Sequence, residues 1–238
     1  MELWYRQVGF YNNPFSIKPA AFHDNLFGYD TAINEVVKRI KDGGVMYVEG
    51  EYGAGKSTLL KKIVHAYGGK KQVIYYSFNV AEDKINIPAL IEGRKGFWSG
   101  LFFSGDDDNL ILLLDEAQDM SKEDSEEVMK AMNDKKFKTI VMVTKDIKKM
   151  NMGDGMKKTI GKDNVIKLNK LTEEAAIKMI RKRIGDTKLL SEAMIKLILK
   201  KSDYNPRHLL KNCEEVCKYA VENIEDVVKE EHVKKVLG

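Results

Sequence analysis

Short apolar runs alternate with helical spacing along the first two thirds of the chain. The apolar runs predict five strands, at Val45–Val48, Gln72–Phe78, Leu110–Leu114, Thr139–Val143 and Asn164–Leu168. Apolar residues three and four positions apart predict helices between them, at Asp30–Lys41, Ser57–Ala66 and Glu123–Met132. Strands that alternate with helices form right-handed crossovers and a mostly parallel sheet.

Strand patterns end at residue 171, and only helical spacing follows. This spacing predicts helices at Thr172–Ile184, Ser191–Lys201, Pro206–Asn223 and Val227–Leu237. We therefore predict an α/β fold with two domains. Residues 1–170 form a five-stranded, mostly parallel sheet flanked by helices and include an irregular N-terminal segment, and residues 171–238 form an all-α domain.

Composition excludes several classes of protein. Of the 238 residues, 43% are hydrophobic and 32% are charged, as is typical of globular proteins. No apolar run approaches the ~20 residues of a membrane helix, and no secretory signal is visible at the N-terminus. The 2 cysteines cannot form a disulfide framework. We therefore expect a cytoplasmic protein without a membrane partner.

Positive charge is concentrated in one segment. The whole chain carries a net charge of +4, but residues 134–170 contain 11 lysines, 4 aspartates and no glutamate. Lysines contact nucleic-acid phosphates without regard to base sequence. The segment fits non-specific DNA binding, a protein interface, or a solvated surface that keeps the protein soluble. The candidate DNA-contacting residues are Lys148, Lys149, Lys157, Lys158 and Lys162.

The strongest motif is a glycine-rich turn, Gly50–Ser57, which fits G-x-x-x-x-G-K-S and joins a predicted strand to a predicted helix. Its glycines let backbone N–H groups surround a phosphate chain, and the helix N-terminus attracts the anion. Lys56 is expected to contact the terminal phosphates, and the Ser57 hydroxyl to ligate a metal. The phosphate-contacting positions are Gly50, Gly53, Ala54, Gly55, Lys56, Ser57 and Thr58.

A second motif is the apolar strand Leu110–Leu114, which is followed by Asp115 and Glu116. Open α/β sheets bind ligands at the carboxyl ends of their strands, so both carboxylates are expected at the binding edge. We predict that Asp115 holds magnesium, directly or through water. We predict that Glu116 polarises the attacking water.

The glycine-rich turn, followed along the chain by the apolar strand that ends in Asp-Glu, resembles the motif order of the AAA+ family of ATPases. This resemblance extends over nearly the whole chain. Thr144 after the fourth strand and Asn205-Pro206-Arg207 in the helical domain complete the pattern. Asn13-Pro14-Phe15 and Asp115-Glu116-Ala117-Gln118 are similar to one branch of the family. That branch holds replication initiators, helicase loaders, secretion-type ATPases and transposition regulators. The resemblance implies ATP as substrate, Mg²⁺ as cofactor and a C-terminal helical lid.

The resemblance also implies roles for single polar residues. Thr144 matches a residue that orients the water and senses the γ-phosphate, and Arg207 matches a lid arginine that reaches that phosphate. Asn79 matches a switch residue that holds the catalytic glutamate away from the water until a partner binds. Thr144 and Asn79 also fit polar caps of strand ends, and Arg207 also fits a surface residue at a helix start.

Two aromatic segments have both a functional and a structural interpretation. Phe27 and Tyr29 lie where the family covers the adenine base, but ordinary core positions fit them equally well. The segment Arg94–Phe103 combines cations with aromatics, as in surfaces that stack on bases. For this segment we favour packing against the sheet.

The chain departs from the AAA+ pattern at the arginine that a neighbouring subunit usually supplies. The corresponding segment, Gly155–Ile160, contains no arginine. Lys157 or Lys158 substitutes for it, another residue such as Arg94 or Arg181 reaches across, a partner protein supplies it, or hydrolysis is slow. A lysine is the poorer replacement because its point charge cannot make the forked contacts of a guanidinium.

The function that we predict is an ATP-binding and ATP-hydrolysing molecular switch that acts on DNA or on a DNA-bound complex. It assembles as a homo-oligomer or in a hetero-complex with another protein. One alternative is a remodelling or assembly factor for a protein client. Another is a signalling module that uses ATP occupancy with little turnover. The basic segment favours the first function, and the missing arginine favours the last over a fast motor.

Overall fold

The computed structural model describes residues 3–17, 27–67, 72–79, 84–94 and 109–238. Its strands are β1 (Gly44–Glu49), β2 (Val73–Ser77), β3 (Ile111–Asp115), β4 (Thr139–Thr144) and β5 (Val165–Lys167). They form one sheet in the spatial order β2-β3-β4-β1-β5, and every pair of neighbours is parallel. The predicted parallel sheet is therefore confirmed, and each strand ends within one residue of its predicted bounds.

Helices precede, interleave and follow the strands. Those before and between the strands are α1 (Trp4–Gln7), α2 (Asp30–Asp42), α3 (Lys56–Ala66), α4 (Ile87–Arg94), α5 (Lys122–Asn133) and α6 (Asp154–Lys157). Those after the strands are α7 (Glu173–Ile184), α8 (Glu192–Lys201), α9 (Pro206–Glu222) and α10 (Glu230–Leu237). Within the described part of the chain, no helix combines the length and the apolarity that crossing a membrane requires.

The sheet brings polar strand ends to one edge. Strands β3 and β4 lie in its middle and are buried at every residue, so their sequences are almost continuously apolar. Ser77 pairs with Asp115, and Glu49 pairs with Thr144. Each of these four residues is the last of its strand. The acidic motif after β3 and the polar end of β4 therefore share the carboxyl edge with the turn that follows β1.

The chain divides into two units. The α/β unit comprises Thr31–Tyr52 and Lys56–Leu168, and the helical unit comprises Met1–Asp30, Gly53–Gly55 and Asn169–Gly238. In the helical unit, residues of α7, α8, α9 and α10 form one core into which Trp4 and Phe15 also pack. The N-terminal segment, which the sequence-based division assigns to residues 1–170, thus shares its core with the C-terminal helices.

Side-chain bonds explain how the Asn-Pro-Phe segment is held in the helical unit. Asn13 Oδ1 accepts from the backbone N–H of Phe15 at 2.9 Å, and its Nδ2 donates to Glu214 Oε1 at 2.6 Å. Arg183 donates to the carbonyl oxygens of the two residues that flank Phe15, at 3.1 and 3.0 Å. Phe15 is fully buried and stacks on Trp4, with ring centroids 6.1 Å apart. The Asn-Pro-Phe motif therefore attaches the N-terminal segment to the C-terminal helices of the same unit.

Three helices show where local sequence signals succeed and where they fail. The side chains of Thr172 and Ser191 accept from backbone N–H groups and begin α7 and α8 where the sequence predicts. By contrast, α10 begins at Glu230 and not at Val227. The backbone N–H of Val228 donates to the carbonyl of Leu189 at 2.7 Å. Lys229 has an extended backbone, with φ −110° and ψ 164°, so α10 begins only after it.

Candidate active site

The turn between β1 and α3 has the backbone that a phosphate-binding loop needs. Gly53 and Gly55 have φ values of +83° and +94°, which side-chain-bearing residues adopt rarely. Ala54, between them, is buried, and Ser57 and Thr58 lie partly buried in the first turn of α3. The N-terminus of α3 therefore follows directly on a turn that glycine makes possible.

Lys56 is a buried cation at the start of α3. It is 6% exposed, and its Nζ donates to the carbonyl oxygens of Gly50 at 2.8 Å and Glu51 at 3.0 Å. Burial lowers its pKa, while the nearby carboxylates of Glu116, Asp115 and Glu51 act in the opposite direction. Its ammonium group is thus held among carbonyl and carboxylate oxygens at the carboxyl edge of the sheet.

Asp115, the last residue of β3, is 3% exposed and is held at both oxygens. Its Oδ2 accepts from the Tyr75 hydroxyl at 2.9 Å, and its Oδ1 accepts from the backbone N–H of Glu116 at 3.0 Å. Burial, followed by the charge of Asp115, raises the pKa of Tyr75 to about 12. Tyr75 therefore stays a hydrogen-bond donor to this carboxylate across the pH range in which proteins are studied.

Glu116 adopts a left-handed backbone conformation, with φ 52° and ψ 42°. Its carbonyl accepts from the backbone N–H of Asp119 at 2.9 Å, which closes a short 3-10 turn over Ala117–Asp119. Within that turn, Gln118 Nε2 donates to Glu116 Oε2 at 2.6 Å. The glutamate side chain is therefore fixed by an amide only two residues further along the chain.

The same amide reaches the end of β4. Gln118 Oε1 accepts from the hydroxyl of Thr144 and from the backbone N–H of Lys145, both at 3.2 Å. Thr144 is fully buried. The structure thus brings Glu116 and Thr144 together through Gln118. In the sequence, Gln118 is predicted only as part of the family-like run Asp115-Glu116-Ala117-Gln118; the signal for this contact is an amide two residues after a strand-end glutamate.

Asn79 is the residue predicted to hold Glu116 away from the water until a partner binds. It is exposed and accepts from the Ser77 hydroxyl at 2.7 Å. Among the described residues, the side-chain hydrogen bond to Glu116 comes from Gln118. The switch role of Asn79 remains a prediction.

Phe27 and Tyr29 lie on either side of a glycine in the helical unit. Phe27 packs against the core of that unit, and Tyr29 is 4% exposed. The Tyr29 hydroxyl finds no hydrogen-bond partner within the described residues, and burial raises its pKa to about 12. Gly28 has φ +78°, and a Cβ there would lie 2.7 Å from the Cβ of Ala175. The segment can approach α7 this closely only because residue 28 is glycine.

Arg207 lies in the first turn of α9, directly after the residues that cap this helix. Asn205 Oδ1 accepts from the backbone N–H groups of Arg207 at 3.0 Å and His208 at 3.2 Å, and Pro206 occupies the first turn. Gly53, which belongs to the same unit, approaches this cap closely. A Cβ on Gly53 would lie 2.6 Å from Asn205 Oδ1 and 2.7 Å from Arg207 Cβ.

The candidate DNA-contacting lysines are all exposed. Of these, only Lys157 makes an ion pair with a described residue, a 3.7 Å contact with Asp154 in α6. Arg181, a candidate for the missing arginine, donates to carbonyls of Gly185 and Thr187 just after its own helix. Residues 95–103 of the aromatic segment lie outside the described residues.

The comparison with known proteins identifies the family. The AAA domain family matches residues 42–174, which are more than half of the chain. The chain belongs to the AAA+ family. The motif-based identification is therefore confirmed. No curated protein matches this AAA+ chain by sequence.

Solved structures resemble this AAA+ protein in fold. The RuvB Holliday junction branch migration motor of Thermotoga maritima matches with TM-score 0.66 and 17% identity, over 90% of this chain and 70% of that one. Cdc6p of Pyrobaculum aerophilum matches with TM-score 0.67 and 15% identity, over 94% and 70%. ORC2 of Aeropyrum pernix, in its ADP form, matches with TM-score 0.59 and 17% identity, over 87% and 66%. At these identities the matches establish the fold.

Proposed function

We propose that this AAA+ protein binds Mg-ATP at the turn between β1 and α3 and hydrolyses it. The observation that carries the proposal is the environment of Lys56. A lysine that is 6% exposed loses hydration, and among the described residues its direct hydrogen-bond partners are the carbonyl oxygens of Gly50 and Glu51. Such a site is suited to an anion that completes the coordination of the ammonium group.

Separate groups of residues suit the phosphates and the base of an adenine nucleotide. The glycine-dependent turn and the N-terminus of α3 suit the phosphates. In the helical unit, the buried Tyr29 hydroxyl without a described partner suits a ring nitrogen of the base, and Phe27, two residues earlier, is a partly buried aromatic side chain suited to stacking on a base. We assign the base contact to Phe27 and Tyr29, and the phosphate contacts to the backbone of the glycine-rich turn with Lys56, Ser57 and Thr58.

Glu116 is the general base of the proposed reaction. Gln118 occupies Glu116 Oε2 and leaves Oε1 to accept a proton from water. The water oxygen forms a bond to the γ-phosphorus as the bond from that phosphorus to the ADP oxygen breaks. The products are ADP and inorganic phosphate, and the proton resides on Glu116 until solvent takes it.

The residues for a divalent cation are also present. Asp115 is a buried carboxylate whose orientation is fixed by two hydrogen bonds, and Ser57 supplies a hydroxyl at the start of α3. Oxygen donors of this kind suit magnesium. When bound, magnesium would neutralise charge on the phosphates.

Thr144 and Arg207 are assigned to sensing the γ-phosphate, and Asn79 is assigned to the switch that holds Glu116 away from the water until a partner binds. The buried Thr144 hydroxyl is connected to Glu116 by two hydrogen bonds, both of which the Gln118 amide makes. We assign to this hydroxyl the sensing of the γ-phosphate. Arg207 supplies a positive charge at the capped start of α9. Asn79 lies just beyond β2 at the carboxyl edge, where a partner can change its contact with Ser77.

Isothermal titration with ATP and magnesium tests the nucleotide proposal. We expect the full chain to bind, Lys56→Ala to lose binding, and Glu116→Gln to bind while losing hydrolysis. Lys182→Ala, which removes an exposed lysine of α7, is the matched control and should bind normally. Equal ATP affinity in the wild type and Lys56→Ala would exclude the site.

We further propose that the protein assembles with itself or with a partner and acts on DNA through the basic segment. The exposed Lys148, Lys149, Lys158 and Lys162 lack ion pairs with described residues, so their charges are available to phosphates. ATP should raise the assembly state in light scattering. A neighbouring subunit then completes the site with Lys157, Lys158 or an arginine such as Arg94 or Arg181, or a partner protein supplies the arginine. The two free, buried cysteines agree with a cytoplasmic location.

DNA binding is tested by fluorescence anisotropy with single- and double-stranded oligonucleotides over a salt series. We expect weak binding that strengthens with a non-hydrolysable ATP analogue. Each phosphate-contacting lysine changed to alanine should lower the salt slope by roughly one. Lys200→Ala removes an exposed lysine of the helical unit and is the control. Absence of binding at low salt in both nucleotide states would favour a protein client.

A further inference from the structure

A single amide joins the proposed general base to the end of β4. We infer that Gln118 is a positioning residue that fixes the carboxylate of Glu116 and makes its position depend on Thr144. This inference rests on the proposed ATPase activity. The hold of Gln118 on the glutamate supports turnover, whereas the hold that the family resemblance implies for Asn79 keeps the glutamate away from the water.

The hydrogen-bond pattern requires an amide at position 118. The Nε2 group donates to Glu116 Oε2 at 2.6 Å, and Oε1 accepts from Thr144 and Lys145 at 3.2 Å. A carboxylate of the same length accepts but cannot donate, and an apolar side chain of the same length does neither. Only an amide matches the acceptor on one side and the two donors on the other.

The backbone of Glu116 explains why its side chain needs such support. A left-handed conformation is uncommon for any residue other than glycine, asparagine or aspartate, and it persists where neighbouring groups hold it. Here Asp115 Oδ1 accepts from the backbone N–H of Glu116, and the 3-10 turn brings Gln118 back over it. The turn fixes the backbone conformation of Glu116, and the Gln118 amide fixes the position of its carboxylate.

Through its contact with Thr144, the position of the Gln118 amide depends on which acceptor takes the Thr144 hydroxyl proton. The Thr144 hydroxyl has one proton and two acceptors within reach, Gln118 Oε1 at 3.2 Å and the carbonyl of Asp146 at 3.4 Å. A phosphate oxygen that took this proton would leave Gln118 Oε1 with the backbone N–H of Lys145 alone. A change at Thr144 therefore reaches Glu116 through one side chain.

The first test separates binding from turnover. Gln118→Met removes both ends of the amide at nearly constant length, and Gln118→Glu removes only its donor. Gln72→Glu makes the same chemical change at an exposed glutamine and is the matched control. We measure ATP affinity by titration and hydrolysis in single turnover, with the full chain in excess over ATP. Both Gln118 variants should keep their ATP affinity within about threefold and lose at least about tenfold in turnover, since misplacing a reacting group by ~1 Å costs up to ~10²-fold.

Turnover within twofold of the wild type in both variants would overturn the inference and leave the ATPase proposal standing. A loss of affinity by the same factor as turnover would also overturn it, because Gln118 would then support binding and not the base. Failure of the wild type to bind ATP would instead overturn the proposed function.

The second test is a double-mutant cycle that does not require turnover. Gln118→Glu places a carboxylate against that of Glu116 and should lower the unfolding temperature of the nucleotide-free chain. In the Glu116→Gln background the introduced amide can donate to the new carboxylate, so the same change should lower it by less than half as much. An equal decrease in both backgrounds would show that the two side chains are not coupled and would overturn the inference.

Discussion

The Tyr75 hydroxyl donates to Asp115 Oδ2 across neighbouring strands, over a distance of 2.9 Å. Asp115 is the proposed magnesium-binding carboxylate, so Tyr75 acts on the metal only through the orientation of that group. Partners of metal ligands typically contribute about 10–100-fold to metal affinity or activity. Tyr75→Phe should therefore raise the Mg²⁺ concentration for half-maximal hydrolysis about tenfold.

A magnesium titration at saturating ATP measures this effect. Tyr11→Phe is the control, since it removes the same hydroxyl from a side chain that is 84% exposed. Unaltered magnesium dependence in Tyr75→Phe would show that the backbone N–H of Glu116 alone orients Asp115.

The lowered pKa of Lys56 predicts weaker ATP binding at alkaline pH. Burial is the main cause of the lowered pKa, and the positive charge of Lys145 lowers it further. Three nearby carboxylates raise the pKa but do not outweigh the effect of burial. Only the ammonium form attracts phosphate, so ATP affinity is full below this pKa and falls as the pH rises through it. The loss should begin below the ~10.4 of an ordinary lysine.

Titrations between pH 7 and about pH 10 test the charge of this side chain. Lys56→Arg keeps a positive charge over that range, so its ATP affinity should lose the pH dependence, whatever its absolute value. A wild-type affinity that is constant up to pH 10 would contradict the prediction.

Ile224 occupies a position that favours glycine. It follows α9 with φ 61°, and it donates to Val221 while Glu225 donates to Ala220, both at 3.0 Å. This pairing is a Schellman motif, in which a left-handed residue closes the helix. The conformation costs an L-residue ~1–2 kcal/mol, and the side chain is 95% exposed, so it gains no packing in return.

Ile224→Gly should therefore raise the free energy of unfolding by about 1 kcal/mol, after allowance for the greater freedom of glycine in the unfolded chain. Urea denaturation measures the change. Ile224→Ala keeps a Cβ and should stay close to the wild type. An equal gain in both variants would attribute the effect to removal of an exposed apolar side chain and not to the backbone.

The two cysteines should be unreactive in the native protein. Cys213 and Cys217 are fully buried in α9, and burial raises the pKa of both thiols. Because the thiolate is the reactive form, an aromatic disulfide reagent at pH 8 should react with neither until urea unfolds the helical unit. Tyr11→Cys supplies an exposed control thiol that should react within minutes. Rapid native reaction of two thiols in the wild type would mean that α9 opens locally.

The parallel sheet could be predicted because its pattern is strong. β3 and β4 are buried on both faces, so their apolar runs are unbroken and cannot be confused with an amphipathic helix. The short helix α1 could not be predicted, because its start has no side-chain cap and its burial depends on Trp4 reaching a core formed by distant helices. Local signals fail where tertiary packing decides the structure.

The location of both motifs at the carboxyl edge of the sheet was predictable, but the hydrogen bonds between their residues were not. The glycine-rich turn and the Asp-Glu pair are spacing patterns, and the sheet places them where the sequence predicts. The link through Gln118 depends on the sign of φ at Glu116, which no periodicity reveals. Likewise, the orientation of Asp115 depends on Tyr75, whose alternation within β2 marks a face of the sheet but not a bond.

The shared core of Trp4, Phe15 and the C-terminal helices has a consequence for biosynthesis. Strands β1 to β5 are all synthesised before residue 168, whereas α9, against which α1 packs, begins at Pro206. At ~5–20 residues per second, roughly 10–40 s separate the appearance of Trp4 from that of its packing partners. During this time the nascent chain can form its sheet while an aromatic segment waits uncovered. Trp4 and Phe15 therefore gain their full burial only after translation has passed α9.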